Sequence, residues 1–378
     1  MRNMRRSDRN ATAEARTRRR RPATIGDVAR LAGVAPSTVS FVLNNHKAVS
    51  EKTREHVLGV MKILDYHPNR MARNLRSGLS AAAGLIIPDM DNPFFSMIAQ
   101  GAQTAAQEAD VLMVLCTTGA KLALEEYYAR VVEARRLDGL LYVSGSGIPS
   151  KPLLGLVTAG HVVFVDEQLP GIKVDAVVGT NRQGARDIAS YVMEQGHSRV
   201  AIISGPFALW TSEQRLAGFR EAIAAAGLDP DETVVYPGDY IEASGGAAAA
   251  AIFALPFRKR PTAVLCSNDM MAFGFMKAAR KSSIAIPEQI SVTGFDDVPA
   301  ASLTEPPLTT VALPAYEMGR RGMQMLLANL GAPRDFPLIE ERPTSLVIRA
   351  SVAQLKKSEG FREVGAVGLR QSGKLPRA

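Results

Sequence analysis

The stretch TIGDVARLAGVAPSTVSFVLNN, residues 24–45, decides how the N-terminal part of this chain folds. Thr24 and Asp27 have the spacing of a capping box, which predicts a helix that begins there. Its buried face is predicted to comprise Ile25, Val28, Ala29 and Leu31. Gly33 suits a tight turn, and Pro36 suits the first position of a second helix, because that position leaves an N–H group unused. Two short helices joined by a glycine turn predict a helix-turn-helix unit, although a plain helical bundle fits the same spacing.

Two further segments extend this N-terminal unit. The second helix is predicted to bury Val39, Val42 and Leu43, and a third helix, capped by Ser50, to bury Val57, Val60, Met61 and Leu64. We therefore expect a small all-α helix-turn-helix headpiece over residues 23–67, for which DNA binding is the favoured function.

The net charge of +8 is unevenly distributed along the chain. Residues 1–22 contain nine arginines against Asp8 and Glu14, whereas residues 81–351 are acidic overall. A basic N-terminal part joined to an acidic body indicates one module for a polyanion, with DNA as the first candidate. Residues 1–22 lack apolar periodicity and are predicted to form a disordered basic arm. Three interpretations of the arm stay open: added phosphate contacts, a solvated tail, or an upstream start codon.

The first 55 residues after the arm resemble a known family. The segments at 24–45, VSEKTREHV at 49–57 and LDYHPNRMARNLRSG at 64–78 closely resemble the headpiece and hinge of the LacI/GalR family of bacterial transcription regulators. The resemblance implies that the second helix enters the major groove, with Pro36, Ser37 and Phe41 reading bases. It implies phosphate contacts from Thr24, Thr38, Asn44, Ser50 and Thr53.

The resemblance also implies a hinge helix and linker over residues 68–80. Asn69, Ala72 and Arg73 match positions that meet the minor groove and the DNA backbone, and Leu75 matches the leucine that wedges between base pairs. Two residues of the headpiece depart from the family pattern. Ala35 stands where a serine usually caps the second helix, and Phe41 replaces a frequent arginine, offering apolar contact to a thymine methyl group instead. The operator of relatives therefore cannot be assumed for this chain.

From residue 82 onward, apolar strand-like runs alternate with amphipathic helices, which predicts parallel sheets covered by helices. Strands are predicted at 83–88, 111–117, 139–144, 161–166, 199–204, 262–267 and 290–295. Helices are predicted near 93–109, 122–136, 183–195, 213–226, 243–254, 270–280 and 315–329. This length exceeds one comfortable sheet, so we expect two lobes.

The body resembles the effector-binding domain of the same family, which shares a two-lobed α/β fold with periplasmic sugar-binding proteins (periplasmic binding protein type I-like). The resemblance rests on GLIIPDMDNPFF at 84–95, DGLLYVSG at 138–145, NRQGA at 181–185, GHSRVAIISGP at 196–206, RLAGFREAI at 215–223, PTAVLCSND at 261–269, IPEQISVTGFDDVP at 286–299 and PPLTTVALPAYEMGRR at 306–321. It implies an N-lobe over about 81–178 and 311–335, and a C-lobe over about 179–310 and 336–351. Residues 352–378 are predicted to be a disordered tail without a coiled coil.

Polar side chains at the carboxyl ends of strands predict a ligand site between the lobes. Carried over position by position, the effector contacts implied by the resemblance are Asn92, Phe94, Phe95, Asp166, Arg215, Tyr240, Asn268 and Asp296. Carboxylates, an arginine and aromatic rings suit a sugar-like polyol, while a purine, a nucleoside or another metabolite remains an alternative. Asp89 and Asp269 can equally be helix caps. Glu167 stands where the family frequently has arginine, and Thr180 where it often has aspartate, so effector identity cannot be transferred.

The composition and the motifs of the sequence argue against several classes of protein. No apolar run reaches the length of a membrane helix, and no signal peptide precedes the body, which predicts a cytoplasmic protein. Cys116 and Cys266 are expected to be buried free thiols, and no histidine pattern predicts a metal site or a cofactor. The sequence contains neither a Gly-x-Ser-x-Gly motif nor a phosphate-binding loop, so no such motif indicates an enzyme. A sugar-processing enzyme and a solute receptor are nevertheless the competing hypotheses. We expect a homodimeric repressor of operator DNA, modulated by a small effector as inducer or corepressor; activation at some promoters stays open.

Overall fold

A computed structural model of the chain describes residues 23–43, 49–64, 66, 82–134, 137–331 and 336–355. The chain divides into two compact units, one ending at Leu79 and the other beginning at Ser80. Some of the predicted features lie outside the described residues: the arm 1–22, Asn44, the hinge residues Asn69, Ala72, Arg73 and Leu75, and the tail from 356 onward. Within the described ranges, no helix has the length and apolar character needed to cross a membrane.

The N-terminal unit contains three described helices: α1 (Ile25–Ala32), α2 (Pro36–Leu43) and α3 (Glu51–Ile63). Thr24 caps α1 as predicted, since its hydroxyl accepts from the backbone N–H of Asp27 while the Asp27 carboxylate accepts from the N–H of Thr24. Gly33 ends α1 in the left-handed conformation, with φ of 66°, which a side chain would strain. The three helices enclose one small core of Val28, Ala29, Ala32, Val39, Val42, Val57, Val60 and Met61.

Some residues predicted to lie in the core of this unit are more exposed in the structure. Leu31 is 54% exposed, and Ala32 takes the buried position instead. The reason is helical spacing: Val28 and Ala32 are four residues apart on one face, whereas Leu31 falls beside that face. Ile25, Leu43 and Leu64, also predicted to be buried, are only half-buried against the same core.

The second unit has two lobes, each built on a parallel sheet. Most of the N-lobe comes from β1 (Ala82–Ile87), α4 (Pro93–Glu108), β2 (Leu112–Thr117), α5 (Leu122–Glu133), β3 (Gly139–Tyr142), α6 (Lys151–Thr158), β4 (Val162–Val165) and β5 (Ala176–Gly179). The C-lobe comprises α7 (Asn181–Glu194), β6 (Val200–Ser204), α8 (Trp210–Ala225), β7 (Val234–Pro237), α9 (Glu242–Ala254), β8 (Ala263–Cys266), α10 (Asp269–Lys281) and β9 (Ser291–Thr293), with short 3₁₀ turns at Phe257–Lys259 and Pro299–Ser302. The last elements are β10 (Thr310–Ala312), α11 (Ala315–Gly331), β11 (Ile339–Arg342) and β12 (Ser345–Val347).

The strand order shows where the chain crosses from one lobe to the other. The N-lobe sheet runs β11-β5-β4-β3-β1-β2 and the C-lobe sheet runs β7-β6-β8-β9, with every pair parallel, while β10 and β12 form a separate antiparallel pair. The expected two-lobed α/β fold is therefore confirmed. The assignment of residues 336–351 to the C-lobe is wrong for β11, because β11 pairs with β5 in the N-lobe sheet. The last crossing falls between β11 and β12.

Three crossing segments lie side by side and form the hinge. The hydroxyl of Thr180 accepts from the N–H of Thr344 at 2.9 Å, and the N–H of Thr180 donates to the carbonyl of Arg342 at 2.9 Å. A Cβ on Gly179 would come within 2.7 Å of the Leu313 side chain, so the second crossing packs against the first. Thr180 therefore connects the first crossing segment to the last one by hydrogen bonds.

Several predicted boundaries also differ in the body. Helix α8 begins at Trp210 instead of 213, so Arg215 lies in its second turn and does not begin the helix. Helix α6 and strands β5, β7, β10, β11 and β12 were not predicted, and none of these elements is longer than eight residues. Cys266 is buried in β8 as expected, whereas Cys116 is only half-buried, because β2 is an edge strand.

Candidate functional site

A cavity of about 90 Å³ lies between the two lobes of the second unit. The structure brings all the predicted effector residues to its wall: Asn92, Phe94, Phe95, Asp166, Arg215, Tyr240, Asn268 and Asp296. They come from both lobes, and they meet because the carboxyl ends of the two parallel sheets face each other across the cleft. The arrangement offers aromatic faces together with buried hydrogen-bonding groups.

On the N-lobe side, helix α4 and the end of β4 position the polar groups. Asn92 caps α4, since its side-chain oxygen accepts from the N–H of Phe94 at 3.0 Å. The rings of Phe94 and Phe95 follow at once and meet edge to face, with centroids 5.5 Å apart. These contacts fix the aromatic part of the wall at the start of a long helix.

Asp166 follows β4 in an uncommon backbone conformation. Its φ is 68°, and the N–H of Glu167 donates to the carbonyl of Val165 at 2.8 Å, which is the hydrogen bond of a tight γ-turn. The left-handed conformation costs about 1–3 kcal/mol for a residue with a side chain. This turn brings both Asp166 and Glu167 to the cavity, where each is at most 5% exposed.

On the C-lobe side, Arg215 is held by several partners at once. Its guanidinium forms an ion pair with Asp296 at 3.0 Å and donates to the carbonyl of Ser267 at 2.6 Å. Its Nε donates to the side-chain oxygen of Asn181 at 2.9 Å, and its charge lies 4.1 Å from the centre of the Phe295 ring. The arginine is therefore fixed in place before any ligand arrives, which lowers the entropic cost of binding.

Asn268 and Tyr240 belong to the same C-lobe wall, and the Arg215 guanidinium lies 5.7 Å from the centre of the Tyr240 ring. Asn268 caps α10 through its side-chain oxygen, which accepts from Met271, and its amide donates to the carbonyl of Tyr240 at 3.0 Å. Tyr240 has a φ of 67°, and its ring covers Gly205 so closely that a Cβ there would lie 2.3 Å from the ring. Asn268 thus contributes mainly by holding the tyrosine over the cavity.

Two of the acids at strand ends form hydrogen bonds that stabilise the fold. Asp269 is completely buried and accepts from the Thr310 hydroxyl at 2.6 Å and from the N–H of Val298 at 2.8 Å. Asp89 lines the cavity, but one of its oxygens accepts from the N–H of Asn92 at 2.9 Å in the turn before α4. Asp269 therefore joins the start of α10 to the segments around Val298 and Thr310, and the cap of that helix is Asn268.

Burial changes the protonation of the carboxyl groups in the cavity. It raises the pKa of Asp166, although the positive charge of Arg215 opposes the shift. Burial raises the pKa of Glu167 further, and the neighbouring Asp166 adds to the increase. Burial also raises the pKa of Asp296 to about 7 against the opposing effect of Arg215. The adjacent pair Asp166 and Glu167 therefore holds a proton more readily than exposed carboxyl groups do.

This shift predicts a pH-dependent stability difference between the protein and its Glu167→Gln variant. Because the pKa of Glu167 is higher in the folded chain than in the unfolded one, the folded form binds more protons, and stability falls as the pH rises. The amide keeps the acceptor oxygen but cannot ionise. We expect the variant to gain stability relative to the wild type between about pH 5 and pH 8, measured by thermal unfolding of the ligand-free chains. A difference that does not change with pH would contradict the raised pKa.

Two of the direct contacts between the lobes lie beside the cavity. Thr211, at the start of α8, donates both its N–H and its hydroxyl to Glu167 of the N-lobe, with the N–H 3.3 Å from the carboxylate. The Thr211 hydroxyl also lies 3.3 Å from that of Tyr240. At the second place, Gly147 and Ala208 approach so closely that a Cβ on Gly147 would be 2.2 Å from the carbonyl oxygen of Ala208.

Sequence reasoning did not find Thr211 or Gly147. Glu167 was noted only as a departure from the family pattern, and nothing in the linear sequence marks which C-lobe residue faces it. The one available signal was the acidic pair following a predicted strand.

The candidate DNA-binding surface belongs to the N-terminal unit. Pro36 and Ser37 are exposed at the start of α2, and Phe41 is exposed one turn later, although it is a large apolar residue. Thr38 is half-buried, and no side-chain cap precedes α2, consistent with Ala35 at that position.

The remaining hydroxyl residues of this surface act first as caps. The Thr24 hydroxyl is engaged with Asp27, and the Ser50 hydroxyl accepts from the N–H of Thr53 at 3.3 Å. They lie at helix N-termini, where backbone N–H groups favour an anion such as phosphate.

Comparison with known proteins agrees with both units. Residues 24–69 match the model of bacterial regulatory proteins of the lacI family, and residues 189–352 match a periplasmic binding protein-like domain. The HTH-type transcriptional repressor PurR of Vibrio cholerae serotype O1 (strain M66-2) is 33% identical over 339 residues, covering 89% of this chain and all of that protein. The PurR repressor of Photobacterium profundum is 32% identical over 336 residues, covering 88% and 99%.

Solved structures give the same result. The lac repressor dimer bound to operator and the anti-inducer ONPF is 26% identical with a TM-score of 0.76, covering 88% of this chain and all of that one. A complex of the transcriptional regulator CelR with cellobiose is 31% identical with a TM-score of 0.65, covering 87% and 99%. This chain therefore belongs to the LacI family of bacterial transcription regulators and is a DNA-binding repressor with a small-molecule effector.

Proposed function

We propose that this chain represses transcription as a homodimer on a pseudo-palindromic operator, and that a sugar-like molecule in the cavity between the lobes sets its affinity for DNA. One observation carries the proposal: eight residues that are dispersed from position 92 to position 296 line a single cavity between two lobes. A ligand that contacts both lobes stabilises the closed cleft, and such a preference for one conformation is what an effector requires.

The chemistry of the cavity supports a polyhydroxylated ligand. Carboxylates accept bidentate hydrogen bonds from neighbouring hydroxyl groups, while the rings of Phe94, Phe95 and Tyr240 offer flat apolar faces. The related CelR structure holds cellobiose. Relief of repression by 100- to 1000-fold requires about 2.7–4 kcal/mol of coupling between the ligand site and the DNA site.

Dimer formation follows from the size of one headpiece. A single helix in the major groove contacts too few bases for the specific affinities of about 10⁻⁸ to 10⁻¹¹ M that operators require, so two headpieces must bind two half-sites. The solved lac repressor structure is a dimer on its operator. We propose the same arrangement here, with Pro36, Ser37 and Phe41 reading bases.

Further DNA contacts are part of the same proposal. Thr24, Thr38, Asn44, Ser50 and Thr53 would meet phosphates. In the hinge, Leu75 would wedge between base pairs, and Asn69, Ala72 and Arg73 would lie in or beside the minor groove.

A thermal-shift screen of the full chain tests the effector assignment. The panel contains sugars, sugar phosphates, polyols, nucleosides and nucleobases, and a ligand at 100 times its dissociation constant should stabilise the body by about 2.7 kcal/mol. Adding the hit to an operator gel shift distinguishes inducer from corepressor. A nucleobase as the only hit would overturn the sugar-like assignment, and turnover of the hit would favour the enzyme hypothesis.

Phe41→Ala is expected to relax the base preference of the headpiece. Removing the ring deletes an apolar base contact, so specific operator affinity should fall by about 1–3 kcal/mol. Non-specific affinity and its salt dependence should stay the same, because no charge is lost. Binding-site selection with both proteins should show the lost preference at one position in each half-site.

Leu58 provides a matched control for this variant. It is 45% exposed, as Phe41 is, but it lies on α3 outside the recognition helix. Leu58→Ala should leave the selected sequence unchanged. If Leu58→Ala relaxes the base preference as much as Phe41→Ala does, the loss reflects headpiece stability and Phe41 does not read bases.

A further inference from the structure

The cavity is unbalanced in charge. Its lining contains the acids Asp89, Asp166, Glu167, Asp239 and Asp296, whereas Arg215 is the one cationic side chain in that lining among the described residues. Arg215 is already paired with Asp296 at 3.0 Å, and both side chains are almost completely buried. No further positive charge in the described part of the lining is matched to Asp166 and Glu167.

Asp166 and Glu167 differ in how their oxygens are satisfied. Glu167 accepts from the N–H and the hydroxyl of Thr211. One carboxylate oxygen of Asp166, Oδ1, is buried and has no hydrogen-bond partner among the described residues, although the residue is only 5% exposed and lines the cavity. A buried acceptor without a hydrogen-bond partner destabilises the protein, so it is a strong place for a ligand donor.

We infer that the ligand of this cavity carries a positively charged amino group that lies against Asp166 and Glu167, so that an amino sugar or a similar polyhydroxylated amine is preferred to its neutral parent and to sugar phosphates. This inference rests on the proposed effector function of the cavity and specifies the class of effector. An ammonium group supplies three donors and one positive charge, which together satisfy the unpartnered oxygen and neutralise the adjacent carboxylates.

The alternatives fit the same wall less well. A neutral hydroxyl can donate to Asp166 but leaves two adjacent carboxyl groups in an enclosed space, where they must retain a proton. A phosphate would add negative charge beside them, with Arg215 already committed to Asp296.

Matched pairs of ligands test the inference with the full-length protein. The pairs are glucosamine with glucose, galactosamine with galactose, and mannosamine with mannose, together with the 6-phosphates of the three neutral sugars. Calorimetric titration should find at least one amine that binds about tenfold or more tightly than its parent. An equal or tighter affinity of the neutral parent or of the phosphate would overturn the inference while leaving the effector site in place. If no sugar of any kind binds, the sugar-like effector proposal fails and the inference falls with it.

Proton release provides a second readout that needs no variant. At pH 6, below the range of about 7.7–8.0 in which α-amino groups titrate, the free amine is protonated. The raised pKa of Glu167 leaves a proton on the carboxyl pair, and an incoming cation should expel it. The measured enthalpy should then vary with the ionisation enthalpy of the buffer for the amine and not for the parent sugar. A buffer-independent enthalpy for a tightly bound amine would place its charge elsewhere.

Glu167→Gln with a matched control completes the test. The amide retains the acceptor for Thr211 but removes a negative charge, so the preference for the amine over its parent should shrink to within about threefold. Glu213→Gln removes an exposed acid two residues after Thr211 in the same helix, outside the cavity lining, and should keep the full preference. Thermal unfolding verifies that both variants fold. A preference that survives in Glu167→Gln would overturn the assignment.

Discussion

Arg215→Met is expected to abolish the response to effector and to lower the free energy of unfolding by about 3–5 kcal/mol. Methionine fills a similar volume, but it leaves Asp296 buried without its cationic partner at 3.0 Å. It also removes the donors to Asn181 and to the Ser267 carbonyl, which join α7, α8 and the loop before α10. Urea unfolding measures the stability loss, and an operator gel shift with and without effector measures the response.

The pH dependence of this loss identifies its cause. The pKa of Asp296 is about 7 even with Arg215 beside it, and removing the arginine must raise that pKa further. The unpaired group then accepts a proton as the pH falls, so the penalty should be smaller at about pH 5 than at about pH 8. A penalty that is the same at both pH values would point to lost packing rather than to an uncompensated charge.

A double variant separates stability from function. Arg215→Met combined with Asp296→Asn removes both charges, and replacement of a whole buried pair is close to neutral in many proteins. Asparagine also tolerates the φ of 107° at position 296 better than most residues do. We expect the double variant to recover most of the stability and still to lack the effector response. If the double variant responds normally, Arg215 and Asp296 do not contact the effector.

Gly147→Ala is the second change with a large expected effect, because it prevents the cleft from closing. A Cβ at this position would lie 2.2 Å from the carbonyl oxygen of Ala208 in the other lobe, and a backbone atom cannot move aside cheaply. The two lobes must separate to relieve the contact. We therefore expect effector affinity to fall by about 10- to 100-fold, corresponding to a coupling of about 1–3 kcal/mol.

The same variant should change how DNA binding responds to effector. Effector and operator affinities are linked through the lobe equilibrium, so a chain biased toward the open conformation should keep its ligand-free operator affinity at effector concentrations that are just sufficient for the wild-type response. Under an inducer, operator binding in Gly147→Ala would persist when effector is added; under a corepressor, it would stay weak. Gel shifts across an effector titration measure this directly.

Gly160 offers a closely matched control. Its φ is 72° against 69° for Gly147, so alanine costs a similar backbone strain of about 1–2 kcal/mol at both sites. A Cβ on Gly160 meets nothing within 4 Å. Gly160→Ala should lose stability but keep the effector response. If both variants lose effector affinity equally, strain rather than lobe contact explains the result.

Local signals in the sequence were sufficient to predict the N-terminal unit and the main strands and helices of the body. The capping box of Thr24 and Asp27, the turn at Gly33 and the cap at Ser50 each involve residues within a few positions of one another, so the linear pattern already contains the interaction. The short elements of the body escaped prediction, because segments of three to eight residues carry too few periods of an apolar pattern.

The sequence by itself determined the family, the two kinds of unit and eight of the residues that line the cavity, because each belongs to a motif that is local in the chain. Only the tertiary structure decided what those residues face. Glu167 meets Thr211 across 44 positions, and Gly147 meets Ala208 across the same cleft. The tertiary structure also shows that β11 belongs to the N-lobe sheet and not to the C-lobe. The register of a parallel strand depends on its partner and not on its own four residues. Contacts between distant segments set the charge of the cavity and the closure of the lobes, and no linear pattern records them.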